Sequence, residues 1–570
     1  MRRLLIFLSS LLIYITALSQ SVYISNITLI DVKSGKAIPG QTVVINGEKI
    51  EQVAATNKVK LPAGAKVIDG TAQFLMPGMT DAHIHFFQSG GLYTRPDVID
   101  FRKKVPYEKE KAFGLQNAKD YLHRYLRMGI TTVIDVGGPM GNFVVRDSIA
   151  ASTVSPNVLV TGPLFSMVDR TQFGDDKPII KITNEQEADQ LFQKMLPQKP
   201  DFIKIWYIAG NTMPAEKNFP LVKYIAEQTH KNGLKLTVHA TELNTAKLAV
   251  EAGADILVHS VTDAVIPDDI IKVWKEKKIT YIPTLIVGLN YYRVFSGRLP
   301  NHPQDLAWAN AFTYGSLTDP EAMPDTDMPF ALKSLRKTGI PASEFKEDSI
   351  AGVNLAKLVK AGINIVSGTD AGNIGTMHAS SFLQELEAMQ KAGLSNAEIL
   401  KASTINPAIG FGKEQQWGSI EKGKNADLLL LEKNPLESLQ HLNTIKIIFK
   451  NGKQLHPDSL VIESPEEIVQ RQLNAYNARD IDAFMDTYAG DIELYDFGEL
   501  KPDKGKAGMR KNYETFFNQV PNLYCEIVKR IVIGNKVIDQ EKVRAGNQTI
   551  NAVAVYEVNN GKITKVTFIR

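Results

Sequence analysis

The chain has 570 residues, 44% of them hydrophobic and 22% charged, an ordinary globular balance that can bury a large core. Its formal charge of +3 is spread without a basic tract or stripe, which sets nucleic acid aside as a partner. One cysteine, Cys525, excludes an intramolecular disulfide and reads as a small buried hydrophobe.

The N-terminus reads as an export signal. Arg2 and Arg3 precede a mostly apolar run over residues 4–18, and Ala17-Leu18-Ser19 offers small residues before a cleavage point. The signal therefore takes residues 1–19, and the mature chain starts near Gln20. The run of about 15 residues is short for a bilayer, which needs roughly 20, and no later segment is long and apolar enough to span. A periplasmic or secreted protein without stable membrane insertion is expected.

Short strands follow, with residues 42–45 and 49–53 flanking Asn46-Gly47, a type I′ hairpin signal. The middle of the chain alternates apolar runs with helical patterns, which predicts a parallel α/β fold. Eight runs stand out, at 74–82, 131–136, 158–161, 202–206, 234–238, 256–258, 280–285 and 363–367, with helical patterns such as 219–230 and 245–252 between them. Eight strand–helix units fit a closed (β/α)8 barrel of the TIM type. The stretch from about 288 to 350 is too long for a simple loop and predicts a helical insertion over the barrel mouth. Ser395 and Glu398 form a capping box before Ile399 and Leu400. Further strands are expected at 428–431 and 445–450, the latter ending at Asn451-Gly452. A separate α+β unit occupies about 462–570. It opens on Ser464-Pro465-Glu466-Glu467, a strong helix start, and ends in a hairpin at Asn560-Gly561.

The chemistry-bearing residues sit at strand ends. In Asp81-Ala82-His83-Ile84-His85, strand alternation aims His83 and His85 at one spot. His239, His259 and Asp370 each follow an apolar run, at the C-terminal rim where barrel enzymes place their sites. Neutral imidazoles ligate zinc-like metals. Lys204 lies inside Phe202-Ile-Lys-Ile-Trp206, where a lysine needs a partner or a neutral amine. Its amine either reaches the rim and pairs with a carboxylate, or adds carbon dioxide to become a carbamate able to bridge two metals. His123, His230, His302, His441 and His456 read as ordinary surface or structural residues.

These pieces resemble the amidohydrolase superfamily, in the binuclear branch that includes imidazolonepropionase-like proteins and Xaa-Pro dipeptidases. The resemblance covers roughly residues 21–456. It rests on Met76-Pro-Gly-Met-Thr-Asp-Ala-His-Ile-His85, Gly129-Ile-Thr-Thr-Val-Ile-Asp135, the lysine strand, the two single histidines, Gly368-Thr-Asp370 and Gly418-Ser-Ile-Glu-Lys-Gly-Lys-Asn-Ala-Asp427. It implies that His83, His85 and Asp370 hold one divalent metal and His239 and His259 a second, with carbamylated Lys204 as the bridge. It also implies that residues 20–76 and 418–456 pair into a β-sandwich beside a barrel at 77–417. Zinc suits these ligands, as do manganese, cobalt and iron. The C-terminal unit is similar to the SnoaL-like or nuclear-transport-factor-2-like fold, a curved sheet with a conical pocket, and reads as an accessory or dimerisation element, which leaves a homo-oligomer open.

The function expected from this set is hydrolysis of an amide or peptide bond in a small substrate, a dipeptide or an N-acyl amino acid. A metal-bridging hydroxide attacks the carbonyl, and Asp370 carries its proton to the leaving amine. His378 and Tyr207 are candidates to contact the substrate. Two alternatives stand beside this reading. One is a cyclic-amidine deaminase with one metal and Glu242 as the acid, from His239-Ala-Thr-Glu242. The other is a ligand-binding protein with an inactive barrel.

Overall fold

The computed structural model describes residues 21–209, 213–300, 302–499, 503–520 and 522–570, so the segment expected to be an export signal lies outside the described residues. Two strand groups far apart in sequence join one eight-stranded sheet: Val22–Asp31, Lys36–Asn46, Lys49–Ala55, Lys66–Asp69 and Phe74–Pro77 with Leu428–Leu431, Ile445–Lys450 and Lys453–Leu455. The join is the antiparallel pair Phe74–Pro77 and Leu428–Leu431, whose Leu75, Met76 and Leu429 are fully buried. At the first Asn-Gly the hairpin differs from expectation. Asn46 pairs with Lys49, so the two-residue loop is Gly47-Glu48 and only Gly47 takes a positive φ, 57°. Asn451-Gly452 and Asn560-Gly561 do form the loops themselves, with both residues left-handed, as a type I′ turn requires.

Each of the eight apolar runs contains a parallel strand. Met79–Ile84, Ile130–Asp135 and Asn157–Val160 form one sheet. Ile203–Trp206, Leu236–His239, Ile256–Val258, Thr280–Ile282 and Asn364–Ile365 continue in another, with Leu164–Ser166 and Ile179–Lys181 at its edge. Those two edge strands have three residues each, too few to show a period in sequence. Backbone hydrogen bonds connect the sheets at both sides. Ala82 N donates to Ser367 O at 3.1 Å and Asp370 N to His83 O at 2.7 Å on one side, and Asp201 N to Val160 O at 2.9 Å on the other. The last run forms only a two-residue strand because its continuation, through Ser367 to Asp370, bonds across to the first strand instead.

Helices cover these strands. Ala215–Lys231 and Leu243–Ala252 extend the expected patterns, and Ser395 caps Asn396–Ala402 in the capping box read from sequence. Leu122, Val133, Ile205, Val238, Leu257 and Leu386 belong to the shared core. The insertion is helical: Leu285–Phe295, Pro303–Trp308, Ala311–Ser316, Phe330–Thr338 and Ala342–Ala361 separate the last two parallel strands.

The C-terminal unit places helices Pro465–Ala478, Ile481–Asp486 and Lys506–Gln519 against a six-stranded sheet, around a core of its own that includes Val469, Phe484, Phe517 and Val566. The Ser464–Glu467 capping box and Pro465 start its first helix, and Cys525 is buried. This unit braces the insertion. Asn474 Nδ2 donates to Ala311 O at 2.7 Å, and the Tyr524 hydroxyl donates to Thr318 O at 3.1 Å. Among the described residues no helix is long and apolar enough to cross a membrane.

Candidate functional site

The parallel strands deliver five polar side chains to one rim. His83 and His85 leave Met79–Ile84 on the same side, and their Nε2 atoms stand 3.3 and 3.0 Å from Asp370 Oδ1. One donor atom from each of the three lies within 4.8 Å of the others, close enough to share a metal ion. His259 Nδ1 approaches Asp370 Oδ2 at 3.7 Å, and the His259 ring lies 4.8 Å from His83 and 4.3 Å from His239, centroid to centroid. Lys204, from the fourth strand, reaches the same floor and is only 1% exposed.

Burial decides the protonation of this cluster. It pushes His83, His239 and His259 well below the ordinary imidazole range, with the Lys204 charge adding to the effect at each. The result is the neutral, ligating form of the ring. Lys204 is itself lowered to about 7 by burial, opposed by Asp370, so a neutral amine is accessible near physiological pH. Lys204 Nζ and His83 Nδ1 are buried without a hydrogen-bond partner among the described residues. Each such orphan costs about 1–3 kcal/mol unless something binds it. Four imidazoles, a carboxylate and a neutral amine are the donor set of a borderline divalent metal, and the site fits one.

A surrounding layer holds the donors in place. His85 Nδ1 lies 2.7 Å from Gly137 O, which puts its proton on Nδ1 and leaves Nε2 free for the rim. His259 Nδ1 lies 2.8 Å from Thr284 Oγ1. Asn373 Nδ2 donates to Asp370 Oδ1 at 2.7 Å, while Asn373 Oδ1 accepts from the Tyr291 hydroxyl at 2.6 Å and from Arg95 at 2.5 Å. Arg95 is fixed in turn by a two-pronged bond to Asp97, both contacts at 2.8 Å. Asp81, pushed up to about 7 by burial, accepts from Thr369 N and Oγ1 and so ties the first strand to the Gly368-Thr369-Asp370 turn. Three residues of the rim take left-handed backbone: His259 at φ 72°, Thr284 at 44° and Asp370 at 63°. For a β-branched threonine this is a genuine strain, and such strain gathers at functional sites.

Above the floor opens a cavity of about 640 Å³. Phe87, Phe173 and Trp206 wall one side, and the insertion supplies Tyr291, Phe295 and Leu335.

Three residues singled out in the sequence are not brought to this cavity. The His378 ring is buried, with Nδ1 3.0 Å from the Tyr125 hydroxyl and Nε2 2.8 Å from Gln88 O, and it stacks on Tyr121 at 4.4 Å. Both nitrogens are engaged by protein, and burial holds the ring down at about 4, so it has nothing to offer a substrate. The Tyr207 hydroxyl donates to Ala215 O at 2.6 Å, on the opposite face from Lys204 and Trp206. Glu242 is the residue before helix Leu243–Ala252 and does not line the cavity. Conversely, Arg95, Tyr291 and Asn373 carry the layer around Asp370 and were not anticipated. Asn373 had a readable signal, an amide three residues beyond Asp370 in a turn, whereas Arg95 and Tyr291 meet it only through the fold.

The amidohydrolase family model matches residues 74–455, spanning all six positions gathered at the rim. The chain belongs to the amidohydrolase family. A SnoaL-like domain matches residues 469–566. Imidazolonepropionase of Shouchella clausii (strain KSM-K16) is 23% identical over 477 residues, covering 75% of this chain and 87% of that protein. Ochratoxinase of Aspergillus niger is 22% identical over 413 residues, covering 66% and 75%. Among solved structures, a Xaa-Pro dipeptidase with bound methionine in the active site superposes with a TM-score of 0.58 at 19% identity, covering 76% of this chain and 100% of its own. The Aspergillus niger ochratoxinase structure gives 0.56 at 18% identity, covering 77% and 96%. This amidohydrolase is a metal-dependent hydrolase, as its family and its hydrolase relatives establish.

Proposed function

We propose that this amidohydrolase cleaves an amide or peptide bond in a small substrate, a dipeptide or an N-acyl amino acid with apolar groups, using two divalent metals, zinc foremost. His83, His85 and Asp370 would hold one metal, His239 and His259 the other, and a carbamate formed on Lys204 from carbon dioxide would join them. The observation that carries this reading is the buried, unpartnered Lys204 amine facing Asp370 and four imidazoles. A lysine so placed is costly as an ammonium. It gains a stable state as a carboxylated side chain between cations.

Metals held there would polarise the scissile carbonyl and acidify a water. Asp370 then takes the proton of the attacking water and returns it to the leaving nitrogen, so that the C–N bond breaks into a carboxylate and an amine. Asn373, clamped by Arg95 and Tyr291, keeps the Asp370 carboxylate turned toward the rim. Phe87, Phe173, Trp206 and Phe295 exclude water and favour apolar side groups next to the scissile bond. The name of one structural relative, Xaa-Pro dipeptidase, is in keeping with a peptide-like substrate. Glu242 does not line the cavity, although its neighbour Thr241 does, and this counts against the one-metal deaminase. The convergence of all six donor positions leaves a purely binding role without support.

The same reading includes the eight parallel strands closed as a (β/α)8 barrel, a cone-shaped C-terminal unit from about residue 462, and export of the mature chain. Its test is turnover of dipeptide and N-acyl amino acid libraries by chelator-stripped enzyme before and after reloading with zinc in bicarbonate. Activity restored by zinc on some member is expected. Inactivity of the fully loaded enzyme on every member, or release of ammonia from a cyclic amidine instead, overturns it.

A further inference from the structure

A second cavity, of about 390 Å³, lies wholly inside the C-terminal unit and shares no lining residue with the metal cavity. Its walls come from helices Pro465–Ala478 and Lys506–Gln519 and from the facing sheet. They are largely aromatic: Tyr476, Tyr488, Tyr513, Phe516, Tyr556 and Phe568 all border it. The volume falls within the roughly 300–1,000 Å³ typical of small-molecule sites.

One carboxylate interrupts this aromatic box. Glu541, on strand Lys536–Ala545, is 9% exposed and lines the cavity. The Tyr556 hydroxyl donates to its Oε1 at 2.8 Å. Among the described residues no lysine or arginine forms an ion pair with it. Arg530 is committed to Asp539 at 2.6 Å, and Arg570, which also lines the cavity, reaches Asp496 at 3.8 Å, so both act on Glu541 only from beyond ion-pair distance. Burial pushes the Glu541 carboxyl up to about 7, against the Tyr556 hydrogen bond. A buried carboxylate with no cation in direct contact is expensive, and a bound cation would relieve it. The surrounding ring faces favour the same cation, because the π face of an aromatic ring attracts positive charge.

We propose that this cavity binds a small organic cation, a primary or secondary ammonium on an aromatic or apolar body, with the ammonium on Glu541 and the body between the rings of Tyr476 and Tyr513, beside Phe568, whose ring already carries the Arg570 guanidinium at 5.1 Å. An amine is also what amide hydrolysis releases, but this binding stands without that reaction and is read without turnover.

The test is calorimetric titration of the full chain at pH 8 with phenethylamine and with its neutral analogue 2-phenylethanol. The amine should bind one per chain, about tenfold or more tighter than the alcohol, from its charge-assisted hydrogen bond and cation–π contacts. Glu541→Gln keeps the shape and the Tyr556 partner but not the charge. It should abolish the amine's advantage while leaving alcohol binding and zinc-dependent hydrolysis unchanged. Equal affinity of amine and alcohol on the unaltered chain overturns the proposal and requires no variant to fold. Amine affinity that survives in Glu541→Gln overturns it as well, since the site is then elsewhere, for example at the Glu344, Glu347 and Asp348 edge of the metal cavity.

Discussion

Gly368 lies where the first and last parallel strands touch, two residues before Asp370. A Cβ added there would stand 2.7 Å from Ile282 Cγ2 and 2.9 Å from both the Cβ and the backbone N of His83. The isoleucine can turn away, but the His83 backbone is held within strand Met79–Ile84. Restoring an ordinary contact of 3.4 Å therefore needs a shift of about 0.5 Å between His83 and the Gly368-Thr369-Asp370 turn. A misplacement of ~1 Å in a positioned group can cost on the order of 10²-fold in rate, so Gly368→Ala should lose about tenfold in kcat/KM. Overpacking should also lower stability by about 1–3 kcal/mol. The assay compares kcat/KM on the hydrolysed substrate, metal per chain and a thermal melt. A folded Gly368→Ala enzyme with unaltered kcat/KM and metal content would refute the claim that His83 and Asp370 form one centre held by this contact.

Other outcomes follow from the same geometry. Asn373→Ala removes the 2.7 Å bond to Asp370 Oδ1 and should lower kcat or metal affinity by about 10–100-fold with little change in melting, whereas a purely structural asparagine would shift the melt and leave kcat alone. Glu541 has a folded-state value of about 7 against an ordinary 4.5, so the folded C-terminal unit holds the proton more firmly than the unfolded chain. Stability should then fall as pH rises from about 4.5 to 7, by up to roughly 3 kcal/mol, and Glu541→Gln should flatten that fall. Urea melts at pH 5 and pH 8 read this, and an equal drop in both proteins would contradict it. Ser464→Ala breaks the capping box that starts helix Pro465–Ala478 and should cost about 1 kcal/mol in the same melts.

Local chemistry made much of this molecule readable from its residues. The His83 and His85 pair follows from strand alternation. The histidines and the aspartate after apolar runs landed on one rim because parallel strands share a direction. Both capping boxes formed at the expected serines. Alternation, followed one residue further, also explains the error at Tyr207: Lys204 and Trp206 share the cavity face, so the next side chain must point the other way. His378 misled for a different reason. Its position just past Asp370 suggested the rim, but packing between Phe86 and Tyr121 decides its place, and nothing local encodes that. The Arg95–Asn373–Tyr291 clamp joins segments some two hundred and eighty residues apart in the chain and exists only in the fold. The slip of the first hairpin by one residue reflects pairing along Val22–Asp31 and Lys36–Asn46, which outweighs the turn preference of Asn46-Gly47.

Elemental analysis of metal per chain, on enzyme purified without chelators and kept in bicarbonate, tests the centre most directly when the unaltered chain and Lys204→Ala are compared. Two zinc-like ions per unaltered chain and fewer than two in Lys204→Ala are the expected result. One ion or none in the unaltered chain, or two ions retained without the lysine, would contradict a centre built around Lys204.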